Sequence, residues 1–198
     1  MNILLLRENP VASKLETWLK NNGDTVYTTA AIVQREFIKE RNIDLIISYT
    51  YRHIISKDII EAVQGNIINL HISYLPWNQG ANPNQWSWIE DTPKGVTIHY
   101  VDEGLDTGDI IAQNLVEMDK TITLRESYDL LNDEIIMLFK KIYNLYPYWN
   151  EMRKIVRGEG SYHSIKQFSQ YNMLIQGNYD ISVEEFCERV KEYNESHI

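Results

Sequence analysis

Short apolar runs alternate with helix-like segments throughout the first 72 residues of this chain. The runs have almost no polar interruption, which is typical of strands that are buried on both faces of a parallel sheet. The intervening segments carry apolar residues at helical spacing. The alternation therefore predicts an α/β fold in which helices cover both faces of a mostly parallel sheet. The predicted strands are 2–6, 25–28, 45–48 and 67–72, and the predicted helices are 12–21, 31–40 and 56–64.

The pattern changes after the fourth predicted strand. Residues 73–84 contain two prolines, one glycine and three asparagines, which predicts a loop. Thr123 and Glu126 have the spacing of a capping box at the start of a helix. We predict one domain over residues 1–150 and a small C-terminal appendage, residues 151–198, packed on the same domain. The further predicted helices are 83–90, 123–146 and 182–195, and the further predicted strands are 95–101 and 109–117.

Charge and cysteine content exclude several classes of protein. The net charge of -9 argues against broad binding of nucleic acid or of an anionic membrane, because both need clustered lysine and arginine. The single cysteine, Cys187, rules out an intrachain disulfide and a cysteine-rich metal site. The first apolar run, residues 3–6, is too short for a signal peptide or a membrane span. We therefore predict a cytoplasmic enzyme or binding domain.

Two polar side chains interrupt the fourth predicted strand near its C-terminal end. Asn69 and His71 are two residues apart, so on a strand they point to one face, opposite Leu70 and Ile72. In open α/β sheets, ligands bind outside the carboxyl ends of the strands. Each residue alone also fits a structural role, His71 as a core histidine and Asn69 as a turn former. Their shared face at a ligand-binding edge makes them candidates for chemistry.

A third candidate, Asp106, lies in an acidic loop between Gly104 and Gly108. Glycines let the backbone approach a ligand or adopt positive φ, although the loop alone also fits a polar hairpin turn. The spacing of its acidic residues does not match an EF-hand, and the loop contains no histidine or cysteine. No metal site is therefore predicted.

An amide, an imidazole and a carboxylate together suit the transfer of an acyl-like group. The imidazole can take a proton from an attacking amine, the carboxylate can orient the imidazole, and the amide can donate to an oxyanion. No serine or cysteine nucleophile lies in a recognisable elbow of the sequence. The residues therefore indicate direct attack by the acceptor rather than a covalent enzyme intermediate.

Two segments resemble the signatures of one enzyme family. Residues 69–76, Asn-Leu-His-Ile-Ser-Tyr-Leu-Pro, resemble the Asn-x-His-Pro-Ser-Leu-Leu-Pro motif of the 10-formyltetrahydrofolate-dependent formyltransferases. Residues 95–108 resemble the second motif of the family, and the separation of His71 and Asp106 is close to the family spacing. The resemblance implies a Rossmann-like formyltransferase fold, with the catalytic domain in residues 1–150.

The resemblance also implies a role for each site residue. The catalytic Asn, His and Asp of the family correspond to Asn69, His71 and Asp106. Formyl would pass from N10 of 10-formyltetrahydrofolate to a primary amine, through a tetrahedral intermediate between Asn69 and His71. The backbone of two segments is implied to hold the folate. These segments contain Arg52, His53, Ile54 and Ile55, and Asp102, Glu103 and Leu105.

The residues that follow the first motif resemble the loop of the sugar N-formyltransferases, which act on UDP- or dTDP-linked amino deoxysugars. Tyr74, Asn82 and Trp86 are accordingly predicted to contact a nucleotide-linked amino sugar. Ile72 and Gln79 depart from the family pattern, in which Pro and Arg are usual, and these departures affect loop geometry and substrate contacts. Because the sugar N-formyltransferases are often dimers, a homodimer is expected.

Other functions stay open. Glycinamide ribonucleotide formyltransferases hold a phosphate on a glycine-rich turn, whereas residues 7–13 contain no glycine and Pro10 removes a donor. Methionyl-tRNA formyltransferases carry a large C-terminal domain and basic surfaces, neither of which is expected here. Hydrolysis of formyl-folate is a third reaction, for which related enzymes usually carry a regulatory domain. A catalytically silent folate-binding module is the alternative outside enzymes, and the complete set of Asn69, His71 and Asp106 argues against it.

Overall fold

Residues 1–155 and 158–197 are described from a computed structural model. The strands are β1 (Asn2–Leu6), β2 (Thr25–Thr29), β3 (Leu45–Ser48), β4 (Ile67–His71), β5 (Gln79–Gly80), β6 (Gly95–Tyr100), β7 (Ile110–Leu115) and β8 (Tyr162–His163). The α-helices are α1 (Ser13–Asn21), α2 (Arg35–Glu40), α3 (Lys57–Ala62), α4 (Pro83–Ile89), α5 (Leu124–Tyr143), α6 (Trp149–Met152), α7 (Ile165–Ser169), α8 (Asn172–Ile175) and α9 (Val183–Ser196). Two 3-10 helices occupy Pro10–Ala12 and Tyr146–Tyr148.

The central sheet has six strands in the order β2-β1-β3-β4-β6-β7. Strand β1 pairs in parallel with β2 and with β3, and β3 pairs in parallel with β4. Strands β6 and β7 are antiparallel, because Tyr100 N donates to Asp109 O while Val116 N donates to Lys94 O. The prediction of a mostly parallel sheet with helices is confirmed. A separate two-stranded parallel sheet joins β5 to β8.

The chain divides into two compact units. The first contains residues 1–71, 98–112 and 136–155. Its strands β1, β3 and β4 are almost fully buried, whereas β2, at the edge of the sheet, is not; apolar side chains of the buried strands pack on residues of α2 and α3. This packing explains why the strands read as continuous apolar runs. The cluster on this face consists of Leu4, Leu6, Ile38, Ile43, Ile46, Ile59, Val63 and Ile67.

The second unit contains residues 72–97, 113–135 and 158–197 and has a core of its own. Aromatic residues dominate that core, which explains the aromatic character of the C-terminal part of the sequence. The predicted division at residue 150 stays a prediction. Among the described residues, no helix is both long and apolar enough to cross a bilayer. The cluster consists of Trp86, Trp88, Leu124, Phe168, Tyr171, Ile175, Ile181, Val183, Phe186 and Val190.

Helix ends follow local hydrogen bonding. The capping box predicted at Thr123 is present, because Glu126 N donates to Thr123 Oγ1 (3.0 Å) and Thr123 N donates to Glu126 Oε2 (2.8 Å). Helix α2 begins four residues later than predicted, at Arg35. The N–H of Ala31 donates to Thr29 Oγ1, and its carbonyl accepts from the Tyr51 hydroxyl. These side chains replace the helical hydrogen bonds that the first predicted turn would need.

Candidate active site

The carboxyl end of β4 presents two polar side chains. Asn69 is half-buried and His71 is 7% exposed, whereas Ile68 and Leu70, on the opposite face, are buried in the core. Strand parity thus sorts the segment as the sequence predicts, with apolar residues on one side and an amide and an imidazole on the other. Both polar residues belong to the first unit, which holds the whole of the cluster described next.

The loop after β6 is folded tightly on itself. Asp102 Oδ1 accepts from Gly104 N (3.0 Å) and from Thr107 Oγ1 (2.6 Å). A Cβ atom at Gly108 would lie 1.9 Å from Tyr100 O, so only glycine permits this close approach. Asp106 adopts a left-handed conformation with φ 54°, which is uncommon outside glycine and marks a constrained backbone. The loop thereby turns the Asp106 carboxylate towards β4.

Asp106 connects the amide and the imidazole. Asn69 Nδ2 donates to Asp106 Oδ1 at 2.9 Å. His71 Nδ1 lies 3.7 Å from Asp106 Oδ2, which is longer than a direct hydrogen bond, so the carboxylate acts on the ring through its charge. The side chains of His71 and Asp106 are 8% and 14% exposed, so bulk water screens their interaction only weakly. The structure therefore brings together the three residues that the sequence singled out as the catalytic set.

A fourth polar residue, His99, joins this cluster and was missed by the sequence analysis. Its Nε2 lies 3.3 Å from Asn69 Nδ2 and 3.4 Å from Asp106 Oδ1. His99 is 1% exposed, and its Nδ1 lies 2.8 Å from Tyr100 O. The alternating pattern of β6 already marked His99 as a strand residue. Its place beside Asn69 could be predicted only from the pairing register of β6 against β4.

The first segment implied to hold folate follows β3. Arg52 forms an ion pair with Glu8, and His53 Nε2 lies 3.8 Å from Glu8 Oε1. Ile54 is 77% exposed, which is unusual for so large an apolar side chain. Its neighbour Ile55 lines a small open depression whose lining residues are mostly apolar. The depression is bounded by Leu6, Ile32, Val33, Tyr51, Ile54, Ile55, Ser56 and Ile59.

The second implied segment is the loop that carries Asp106. Leu105 is 46% exposed, so both segments offer an uncovered apolar side chain. Glu103 Oε1 lies 2.7 Å from Lys57 Nζ, and this partner raises the pKa of the Lys57 ammonium group. The side chain of Asp102 is used within the loop. Apolar walls beside polar backbone fit a flat ring with polar edges, so these residues are compatible with a bound folate.

The residues predicted to contact the acceptor lie in the second unit. Tyr74 is half-buried and packs beside Gly95. Asn82 precedes α4 with φ 55°, and its side chain makes no cap hydrogen bond to that helix. Trp86 is 7% exposed and stacks on His163 with ring centroids 3.8 Å apart. The Trp86 ring therefore packs mainly against protein side chains, whereas the Asn82 side chain does not cap the helix.

The described part of the chain contains no group of three or more His, Cys, Asp or Glu side chains that could hold a metal ion. The cluster at β4 is therefore an arrangement of hydrogen-bonding and charged groups. Its components are one carboxylate, one primary amide and two imidazoles, and these can move a proton and stabilise a developing negative charge. Such a set suits attack of an amine on an acyl carbon.

Residues 20–140 match the model of the formyl transferase family (Formyl_trans_N), so the chain belongs to that family. It is similar to the formyltransferase PseJ from Anoxybacillus kamchatkensis, which was crystallised with UDP-4,6-dideoxy-4-formamido-L-AltNAc and tetrahydrofolate. The identity is 40% and the TM-score 0.82, over 94% of this chain and 97% of that one. The sugar 3N-formyl transferase WlaRD, crystallised with dTDP and 5-N-formyl-THF, is 25% identical over 84% of this chain and 70% of that one, with a TM-score of 0.62.

A curated relative has a different acceptor in its name. The methionyl-tRNA formyltransferase of Clostridioides difficile (strain 630) is 35% identical over 142 residues, which are 70% of this chain and 46% of the relative. The chain thus spans about half the length of the curated relatives that it matches. Family membership therefore leaves the acceptor to be argued from the site.

Proposed function

We propose that this protein transfers a formyl group from 10-formyltetrahydrofolate to the primary amine of a UDP- or dTDP-linked amino deoxysugar. The observation that carries the reaction is the position of the Asp106 carboxylate, which accepts from the Asn69 amide and faces the His71 imidazole. This arrangement provides a base with a fixed orientation and an amide donor beside it. Both are needed when a neutral amine attacks a formyl carbon.

His71 acts as the base. Because Nδ1 faces Asp106, the negative carboxylate favours the tautomer in which Nδ1 carries the proton. The other ring nitrogen, Nε2, then takes the proton that the amine loses as its bond to the formyl carbon forms. The imidazolium that results is stabilised by the same carboxylate, and it can return the proton to the departing nitrogen.

Asn69 stabilises the charge that develops on the formyl oxygen. One N–H of its amide is held by Asp106 Oδ1 at 2.9 Å, and the second N–H is the donor for the oxyanion. No protein nucleophile is required. The single thiol, Cys187, lies in α9, and burial raises the pKa of that thiol, so little of it is thiolate near neutral pH.

10-Formyltetrahydrofolate supplies the formyl group. The backbone of residues 52–55 and of residues 102–105 would hold its ring system, with the exposed side chains of Ile54 and Leu105 covering the faces. Burial raises the pKa of the Tyr51 hydroxyl, which donates to Ala31 O and closes the depression beside Ile55. These contacts bind and orient the donor and take no part in proton transfer.

An amino sugar acceptor is supported by the likeness to PseJ and by the state of the loop before α4. The Asn82 side chain does not cap α4, and its amide is a group that can bind a hydroxyl or a phosphate oxygen. Tyr74 offers a half-buried phenol, and the buried Trp86 indole N–H has no partner among the described residues. We propose these three residues as acceptor contacts, in a cytoplasmic enzyme that forms a homodimer.

Methionyl-tRNA is the second candidate acceptor, because curated relatives at 35% identity bear that name. The net charge of -9 disfavours it, since binding of tRNA phosphates needs clustered cations. Glycinamide ribonucleotide is disfavoured by the segment after β1. There Pro10 begins a 3-10 helix, and the Arg7 guanidinium donates to Glu16 and Ser13 rather than facing outward unpaired.

A screen of formyl acceptors tests the proposal. Donor consumption is followed with UDP- and dTDP-linked 4-amino- and 3-amino-deoxysugars, glycinamide ribonucleotide and methionyl-tRNA, beside a sample without amine. We expect consumption that depends on a nucleotide-linked amino sugar. Equal consumption without amine identifies a hydrolase, and donor binding without consumption under any condition identifies a silent module. Preferred consumption with glycinamide ribonucleotide or with methionyl-tRNA would identify that molecule as the acceptor instead.

A further inference from the structure

The buried imidazole of His99 is bound on one side by the main chain. Its Nδ1 lies 2.8 Å from Tyr100 O, and a carbonyl oxygen can only accept. Nδ1 therefore carries the proton of the neutral ring and donates it to that carbonyl. The tautomer leaves Nε2 as a lone-pair acceptor, and Nε2 is the atom that points into the cluster.

The acceptor nitrogen of His99 and the carboxylate of Asp106 face the same end of one amide. Asn69 Nδ2 lies 3.3 Å from His99 Nε2 and 2.9 Å from Asp106 Oδ1. A primary amide nitrogen carries two N–H groups, so it can donate one to each. If the amide were rotated by half a turn, its oxygen would face a lone pair and a negative charge. Both contacts would then be repulsive, so His99 and Asp106 together select one orientation of the amide.

We propose that His99 is a positioning residue that holds the Asn69 amide with its nitrogen towards the reacting formyl group. This role rests on the proposed function, because it acts through the amide that stabilises the oxyanion. A neutral nitrogen acceptor at 3.3 Å is weaker than an oxyanion, since hydrogen bonds to charged acceptors are shorter and stronger. The second N–H of the Asn69 amide therefore donates to His99 Nε2 before the reaction. During the reaction it donates its hydrogen bond to the oxyanion instead.

Two nearly isosteric variants separate this role from packing. His99→Gln and His99→Met both lose the Nδ1 bond to Tyr100 O, but only Gln keeps an acceptor near the position of Nε2. We expect kcat to be about tenfold lower in His99→Met than in His99→Gln, the effect of one hydrogen bond, with the KM values for both substrates unchanged. Thermal unfolding should shift equally in the two variants.

The chain offers a matched control on its last helix. His197 also places Nδ1 2.8 Å from a carbonyl, that of Tyr193, and it lies outside the catalytic cluster. His197→Gln and His197→Met should both retain the wild-type kcat. Equal kcat values for the Gln and Met variants of His99, whether both are lowered or both are normal, would overturn the proposal.

A measurement without turnover keeps this test independent of the acceptor. Nitrogen-15 NMR of the labelled histidine ring in the wild-type protein reports which ring nitrogen carries the proton. We expect His99 to be the Nδ1–H tautomer, with Nε2 shifted as an acceptor and perturbed in Asn69→Ala. A proton on Nε2, either in the Nε2–H tautomer or in an imidazolium that donates to Asp106 Oδ1 at 3.4 Å, would overturn the positioning role even where no acceptor is turned over. Failure of every acceptor with the expected tautomer would instead contradict the proposed function alone.

Discussion

The carboxyl end of β4 and the loop of residues 78–82 are held in place in different ways. At β4, side chains hold one another, through the contacts of Asp106 with Asn69 and His71. The loop is held mainly through its backbone, with the Ser161 hydroxyl accepting from Asn78 N at 3.0 Å. Three alternate residues of the loop adopt positive φ: Asn78 (56°), Gly80 (87°) and Asn82 (55°). Gln79 N and Ala81 N donate to the carbonyls of Ser161 and His163.

This difference suggests separate roles: the β4 cluster for the reaction itself, and the loop of residues 78–82 for selection of the acceptor. Asn69 and His71 are fixed by their own strand and its neighbours in the sheet, and only Asp106 reaches them from a loop, with φ 54°. A loop with left-handed residues costs about 1–3 kcal/mol at each non-glycine position and persists only where its surroundings fix it. Here the segment that fixes it is about eighty residues away in sequence. Changes to that segment should alter acceptor binding and leave the reaction itself intact.

The largest expected effect is on the free energy of unfolding, and it follows from a change in the unit that carries the loop of residues 78–82. Trp86 belongs to the core of the second unit and stacks on His163 at 3.8 Å. Trp86→Ala should lower the free energy of unfolding by about 3–5 kcal/mol, the usual cost of removing a buried aromatic ring. Denaturant unfolding measures it, with Trp77→Ala, at a half-buried position, as the milder control. Wild-type stability combined with a raised acceptor KM would show that Trp86 serves only as a contact.

The next effect lies at β4 and concerns rate. Loss of an oxyanion donor costs about 2.7–4 kcal/mol, so Asn69→Ala should lower kcat by about two to three orders of magnitude. Donor affinity, followed by titration, should stay close to wild type because the folate segments are unchanged. Asn144→Ala, at an exposed position, is the control. Near-normal turnover in both Asn69→Ala and His71→Ala would refute the site assignment.

A smaller effect tests how the loop is held. Ser161 Oγ accepts from Asn78 N (3.0 Å) and lies 3.3 Å from Asn78 Oδ1. Ser161→Ala removes both contacts and should raise the acceptor KM about tenfold, while kcat and the donor KM change little. Ser169→Ala serves as the control, because the Ser169 hydroxyl donates to Lys166 O in its own helix. A fall in kcat with an unchanged acceptor KM would mean that the loop serves catalysis rather than selectivity.

The smallest effect concerns the donor. Ile54 is 77% exposed beside the depression at the proposed folate segment, so the proposal predicts that it gains cover when the donor binds. Ile54→Ala should raise the donor KM about fivefold, as expected for partial loss of buried apolar area. The matched control is Ile165→Ala, because Ile165 is 73% exposed in the second unit. Equal kinetics in the two variants would remove Ile54 from the donor site.

Some features could be predicted from the sequence because they depend on local pattern. Apolar runs located the parallel strands, and strand parity placed Asn69 and His71 on one face. His99 escaped notice because its role depends on which residue of β4 lies beside it, and strand register is a tertiary property. The short helices α6, α7 and α8 escaped because their aromatic residues follow the packing of a core rather than helical periodicity.

The central claim is that the β4 cluster transfers formyl directly to an amino sugar. A donor labelled with carbon-13 in its formyl group tests it most directly, with mass spectrometry of protein, acceptor and solvent products after a single turnover. We expect label in the amide of the nucleotide-linked sugar, none on the protein, and loss of transfer in Asn69→Ala. Label on the protein, or in free formate at the same rate with and without the amine, would contradict it.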